Sequence, residues 1–472
     1  MIFYLWFVLG FFIAFVVVHS GLLIVAAVEL KRYAARSSPT ALRRALRSPL
    51  APAIAVVCPA YNEEAGIVDS VRALLALDYP KIEVIVVNDG STDGTLARLT
   101  EVFDLRPVRR PTPPYLPHRP VRGVYAPRSR LPLLVIDKEN GGKADGLNVG
   151  VNFTWCPLAC AVDADSILEQ DALAKAALPF IEDPERTLAT AGMIRLVNGC
   201  TIDRGRVVEV HPPRSRWAMF QVVEYLRAFY AIRTGWAAIG ALMIVSGAFG
   251  LFRCDAVIAA GGWRTDTVGE DFELVVRMHK MWRDARRPYR IVYVPDPVCW
   301  TEGPETARGL RSQRARWHRG CIEVLLMHRA MLMNPRYGTV GLIGLPAMLL
   351  FEVLGPVIEL SGYGVTTAAL LAGRLTAAGY LLFLAVAVLY GLLLTLGAIA
   401  LEDASVSPRA TWVDLRRVLL FALGEGLGYR QVLIPSRLLG VWQLVRRTKW
   451  QPMERKGFSA PPPVTVPQAR QP

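Results

Sequence analysis

The sequence predicts an α/β protein in which a Rossmann-like domain is joined to α-helical transmembrane segments. Three observations predict it. From Ala53 to about Gly320, short apolar runs alternate with helical stretches, the order that builds a parallel sheet with helices on its faces. One of those runs, beginning at Leu158, ends in Asp163-Ala164-Asp165, and ligands of open α/β sheets sit at strand carboxyl ends. Outside this region lie apolar stretches long enough to cross a bilayer.

Residues 1–28 carry no formal charge apart from a titratable His19. No basic region precedes the run, and it is too long for the apolar core of a signal peptide, so residues 1–30 read as an uncleaved anchor. A basic linker, 31–52, follows with Lys31, Arg32, Arg36, Arg43, Arg44 and Arg47. That excess of cations places the flank in the cytoplasm and the amino terminus outside. Within the domain at 53–320, strands are expected at 54–60, 83–89, 131–137 and 158–164, with helices starting near Glu64, Asp93 and Lys143. Residues 105–132 are dense in proline and arginine and read as a solvated insertion without regular structure. The aromatic stretch Trp217 to Trp236 fits a helix on the membrane surface and a core helix equally. Residues 321–339 are expected to form an interfacial helix. The region 340–445 then holds two spans, 340–373 and 377–401. Glu352, Pro356 and Glu359 interrupt the first, predicting either a kink facing protein or water, or an interfacial helix before a shorter span. Glu425, Arg430 and Arg437 break the apolar pattern of 418–445, which reads as a re-entrant or interfacial hairpin. A basic, proline-rich tail at 446–472 returns to the cytoplasm.

The net charge of +14 admits nucleic acid, anionic lipid or phosphate-bearing substrates as partners. No RNA- or DNA-binding motif is present, and the cations flank apolar segments, so the lipid bilayer is the expected partner and nucleic acid is not. The seven cysteines form no CxxC or zinc spacing and read as reduced core residues. No G-x-G-x-x-G follows the first strand, which argues against a nicotinamide enzyme.

The chemistry-bearing residues stand at the strand ends. After the first strand, Tyr61 can stack on a base, and Glu63 stands in the same turn ahead of a helix N-terminus that favours anions. After the second, Asp89 can accept from a base N–H while Asp93 caps a helix. After the third, Gly141-Gly142-Lys143 lets backbone approach a diphosphate and adds a cation, without the Walker A spacing. Asp163 and Asp165 alone fit a solvated turn with Ser166 as helix cap; held together, they call for Mg²⁺ or Mn²⁺ carried in with a phosphate. Glu270 or Asp271, at a helix mouth, supplies either a general base or compensation of the helix dipole. Gln313, Arg316 and Trp317 share a helical face. They suit a groove where Arg316 clamps a pyrophosphate and Trp317 stacks on a sugar, although Arg311, Arg314, His318 and Arg319 also fit a basic juxtamembrane helix.

As a set, NDGSTD, GGKADGLN, DADS, SGAFGLFR, GED and QRARW make the stretch from Ile54 to Gly320 resemble the processive family 2 glycosyltransferases of GT-A fold. That group contains the cellulose, chitin, hyaluronan and poly-N-acetylglucosamine synthases. The resemblance implies a cytosolic GT-A domain in the plasma membrane, in an inverting enzyme that extends a β-linked polysaccharide from a UDP-sugar. It implies uracil contacts at Tyr61 and Asp89, and a diphosphate contact at Lys143. Asp163 and Asp165 become the DxD pair, with Asp165 nearer the Mg²⁺ or Mn²⁺. Asp271 becomes the base of a TED motif, Ser246 and Gly247 part of the acceptor floor, and Gln313, Arg316 and Trp317 the Q-x-x-R-W lid. Asn88 stands where Asp is commoner, and Gly269 where Thr is usual. A growing polysaccharide or a lipid-linked acceptor, and an accessory membrane subunit, are the implied partners. Single addition to a lipid-linked acceptor is the alternative, and a non-catalytic nucleotide-binding scaffold a further one.

Overall fold

Runs of Val, Ile and Ala without polar alternation make strands covered on both faces. The computed structural model describes residues 2–36, 51–203, 205–403 and 412–446, with isolated positions between 40 and 48. Four parallel strands, β1 (Ile54–Ala60), β2 (Ile82–Asp89), β5 (Leu133–Lys138) and β6 (Leu158–Val162), lie in the order β5-β2-β1-β6. Their register pairs Ala60 with Asn88, and Asp89 with Lys138, so their carboxyl ends share one rim. The helix Lys143–Phe153 presses on this sheet at Gly150, where a Cβ would stand 2.1 Å from a Val57 methyl.

Beyond β6 the sheet becomes mixed. β11 (Phe249–Arg253) runs antiparallel to both β6 and β8 (Thr187–Leu196), β12 (Arg290–Thr301) runs parallel to β8, and β7 (Ser166–Leu168) closes that edge. A separate hairpin joins β9 (Thr201–Asp203) and β10 (Arg206–Glu209). Phe249 faces Val162, so the loop ahead of β11 reaches the rim where β6 ends. Ser166 pairs with Thr301 in β7 rather than capping a helix.

The proline-rich insertion differs from its expected form. It contributes β3 (Leu105–Pro107) and β4 (Val121–Pro127), an antiparallel extension of the β5 edge. Its prolines fall at strand ends and in the connection, where no ladder donor is needed. Leu116 is buried, with its N–H and C=O both bonded to the Asn152 side chain at 3.0 and 2.8 Å.

Among the described residues three helices are long and apolar enough to cross a membrane: Trp6–Ala35, Val340–Leu371 and Ala377–Asp403. The first belongs to a helix, Ile2–Arg36, that runs past the predicted end of the anchor. The aromatic stretch forms the helical segments Arg216–Leu226, Arg227–Arg233 and Thr234–Ala238 and packs internally: a Cβ on Gly235 would lie 2.6 Å from the Leu22 carbonyl. In place of an interfacial helix at 321–339, the helix Ala307–Met327 ends and two short 3-10 turns follow.

The expected hairpin at 418–445 is instead one continuous helical run, Trp412–Arg446. Its charges read as breaks in the sequence, yet each has a partner from another element. Arg227 grips Glu425 through two bonds of 2.5 and 2.8 Å, Arg430 lies 3.5 Å from Glu359, and Arg437 lies 3.7 Å from Glu352. Arg195 of β8 likewise meets Glu402, so buried ion pairs tie the sheet domain to the apolar helices. Removing one member strands a buried charge, which costs about 3–5 kcal/mol, whereas replacing both by apolar residues restores much of it. Glu425→Ala is therefore expected to lower the unfolding temperature in detergent sharply, and Arg227→Met with Glu425→Leu to recover most of the loss. Arg43, Arg44, Arg47 and the tail from 447 onward lie outside the described residues.

Candidate active site

The rim begins with a clamp that sequence reasoning missed. Lys138, the last residue of β5, is fully buried with its ammonium between Asp89 at 2.5 Å and Asp145 at 2.7 Å. Asp89 turns its oxygens inward and accepts from the N–H groups of Gly141 and Gly142 at 2.9 and 2.7 Å. The two glycines are thereby fixed, with Gly142 at φ +86°, a conformation that disfavours side chains. The N–H of Arg119, in the insertion, donates to Asp145 at 3.0 Å, so the insertion braces this loop. Tyr61 is exposed at the end of β1. Its turn is zipped to the next: Asn62 accepts from the Thr92 N–H at 2.8 Å, and the Glu63 N–H donates to Thr95 Oγ1 at 2.9 Å.

Lys143 opens its helix and reaches across the rim, meeting the Asp163 carboxylate and donating to the Gly247 carbonyl at 2.9 Å. The N–H of Gly247 donates to Asp271 Oδ2 at 3.0 Å, and Asp271 Oδ1 accepts from the Phe272 N–H at 2.8 Å. Residue 247 thus links the cation to the carboxylate. A Cβ there would sit 2.8 Å from the Lys143 ammonium, so a side chain at 247 would displace the lysine head. Burial pulls the Lys143 ammonium down, but Asp163, Glu270 and Asp271 outweigh it and hold the group above its ordinary value. Glu270 behaves oppositely: burial and then the Asp271 charge raise its carboxyl, against Lys143 and Arg316.

A carboxyl raised in the folded state gives its full stability below its unfolded value and loses it as pH rises through the folded value. Glu270→Gln is thus expected to raise the unfolding temperature at pH 7.5 and to lose that advantage at pH 4.5. Thermal scans at the two pH values check this.

Asp163 and Asp165 flank the turn after β6, with Asp165 the more buried at 5% exposed. Burial raises the Cys58 thiol beneath them, and the charges of Asp163, Glu63 and Asp165 raise it further. Among the described residues no group of three or more His, Cys, Asp or Glu is arranged to hold a metal by itself. Two carboxylates at a rim beside a cation suit Mg²⁺ or Mn²⁺ that takes its remaining ligands from a diphosphate.

Gln313, Arg316 and Trp317 fall on the helix Ala307–Met327 as expected, with Gln313 buried and Trp317 exposed. Two glycine contacts locate this helix. A Cβ on Gly269 would meet the Gly320 backbone at 3.2 Å, and one on Gly440 would meet the Ala315 carbonyl at 2.4 Å. Gly269 thus stands where the usual Thr would crowd Gly320. Two residues earlier, Thr267 donates to Glu323 at 2.8 Å, and Glu323 also accepts from the Val268 N–H at 3.0 Å and Arg319 at 2.7 Å. Arg319 is consequently an internal partner, as is Arg314, which bonds Glu224 at 2.8 Å. The nearest sequence signal of this packing was the pair of lone glycines, Gly269 and Gly320.

Residues 160–399 match the family described as glycosyl transferase family group 2, and residues 55–113 match glycosyl transferase family 2. The chain is a family 2 glycosyltransferase. Its mixed sheet is of GT-A type, combined with the three candidate spans. Poly-β-1,6-N-acetyl-D-glucosamine synthase of Staphylococcus aureus strain COL is 33% identical over 267 residues, covering 56% of this chain and 54% of that one. The synthase of the same name from Staphylococcus epidermidis is 29% identical over 274 residues, covering 58% and 55%. The chain therefore spans about half the length of the curated relatives it matches. A mannosyltransferase from Pyrobaculum calidifontis, in complex with GDP-mannose and Mn²⁺, aligns over 88% of this chain and 99% of its own with TM-score 0.49 and 21% identity.

Proposed function

We propose that this glycosyltransferase transfers sugar from a nucleotide donor, a UDP-sugar, to the growing end of a β-linked polysaccharide in a single inverting displacement. The observation that carries the reading is residue 247, whose carbonyl meets Lys143 and whose N–H meets Asp271. A leaving-group cation and a base are thus held in one frame. Asp271 takes the proton from the acceptor hydroxyl, whose oxygen bonds to the anomeric carbon. The bond from that carbon to the phosphate oxygen breaks, and its electron pair leaves with the nucleoside diphosphate. Lys143 and Arg316 neutralise that charge, Tyr61 serves the base, and Glu63 lies in the same donor turn; Asp89, expected at the base, instead turns inward to Lys138 and fixes Gly141 and Gly142 beside the diphosphate. Asp165, with Asp163, would hold Mg²⁺ or Mn²⁺, which neutralises diphosphate charge when bound. Ser246, Gly247 and Trp317 border the acceptor, Gln313 lies on the nucleotide-sugar side of the lid, and Glu270 tunes Asp271. The domain faces the cytoplasm, and the apolar helices, with an accessory membrane subunit, receive the product.

Purified protein given UDP-N-acetylglucosamine, UDP-glucose and UDP-glucuronate in turn, with MnCl₂ or EDTA, tests the reading. Metal-dependent UDP release with one of them supports it, and no release with any sinks it. A single sugar added to a lipid-linked acceptor is the second reading, favoured by only three candidate spans among the described residues. Product length decides between the two.

A further inference from the structure

Glu224 touches none of the groups assigned to the chemistry, yet it packs against the helix that carries Trp317. It lies on the helix Arg216–Leu226 and receives both arms of the Arg314 guanidinium, Nη1 to Oε1 and Nη2 to Oε2, each at 2.8 Å. Two parallel bonds fix the guanidinium's plane as well as its position. That guanidinium lies 4.5 Å from the centre of the Trp317 ring, one helical turn along the same helix. Trp317 is 41% exposed, so enclosure in a core does not set its rotamer, and a cation against the ring face supplies a preferred orientation.

Glu224 is in turn held from the carboxy-terminal helical run. The Tyr429 hydroxyl donates to its Oε2 at 3.3 Å, and the buried Tyr429 ring stacks on Phe220 at 4.5 Å and 17°. Four positions before Tyr429, Glu425 makes the paired bonds to Arg227. The lid tryptophan is therefore linked through Arg314, Glu224 and Tyr429 to the last helical run of the chain.

We infer that Glu224 is a positioning residue for transfer: it orients Trp317 through Arg314 and passes the placement of the carboxy-terminal helix to the sugar-facing lid. The inference rests on the proposed place of Trp317 at the sugar. The link explains why Arg314, inside QRARW, faces an internal carboxylate rather than solvent or lipid headgroups.

The test uses the full chain in detergent, labelled with 5-fluorotryptophan, with the Trp317 fluorine resonance assigned by its loss in Trp317→Phe. Glu224→Gln is expected to shift that resonance while the other tryptophan lines stay. Tyr429→Phe, which removes one hydroxyl and keeps the ring, should shift the same line less. With UDP-N-acetylglucosamine and MnCl₂, Glu224→Gln should lower the transfer rate about tenfold while donor KM stays within about twofold, the signature of a misplaced group rather than lost donor binding. An unmoved Trp317 line in both variants would overturn the inference. So would shifts of all lines together with lower thermal stability, which would make Glu224 an ordinary structural partner. Absence of turnover in the unmodified chain would refute the proposed function, yet the fluorine result would still decide whether Glu224 sets Trp317.

Discussion

Asp271→Asn is expected to abolish sugar transfer while nucleotide binding persists. General-base assistance is worth about 10²–10⁴-fold, and the amide cannot take a proton at neutral pH. The replacement is nearly isosteric, and the anchoring bonds explain why the fold should survive it: an amide oxygen can still accept from Gly247 or Phe272, which now bond Oδ2 and Oδ1 at 3.0 and 2.8 Å. Burial of Glu270 beside it makes rescue by that neighbour poor, because the Glu270 carboxyl already resists ionisation. UDP binding by calorimetry and sugar transfer by product formation should therefore separate, with an unchanged Kd and a rate down by at least about 10². Near-normal turnover by Asp271→Asn would remove Asp271 as the base.

The residues best placed by the sequence were those whose position follows from a strand end. Asp89, Lys143, Asp163 and Asp165 each end a run of apolar residues or open the helix after one, and a parallel sheet brings such ends together whatever the loops do. The Lys138 clamp was illegible because its partners Asp89 and Asp145 are ordinary charges until the chain is folded. Asn88 looked like a departure and turns out to donate to buried Asp137 at 2.7 Å, so a carboxylate there would have met another. β4 was hidden because the arginines and prolines of the surrounding insertion imitate a solvated loop. The expected hairpin failed for the converse reason: Glu425, Arg430 and Arg437 look like interruptions until Arg227, Glu359 and Glu352 stand opposite them. Polar residues inside apolar stretches thus identified ion pairs between helical segments, the Arg227–Glu425 pair buried, but not the path of the backbone.

Lys143→Ala is expected to cost about as much as losing one preorganised donor to a developing negative charge, about 10²–10³-fold in kcat. Two effects combine in that loss. The leaving diphosphate forfeits a cation, and Asp163, Glu270 and Asp271 forfeit the charge that holds them together. Because those carboxylates keep the ammonium above its ordinary value, the cation stays charged across the assayable range. The basic limb of the pH–rate profile should then owe nothing to Lys143, and Lys143→Ala should lower the rate without moving that limb. Lys143→Arg should rescue little, since a planar guanidinium does not reproduce the compact ammonium's contacts with the Asp163 carboxylate and the Gly247 carbonyl. If Lys143→Ala instead raised donor KM and left kcat intact, the lysine would bind the ground state and transition state alike, and its assignment to the departing phosphate would fall.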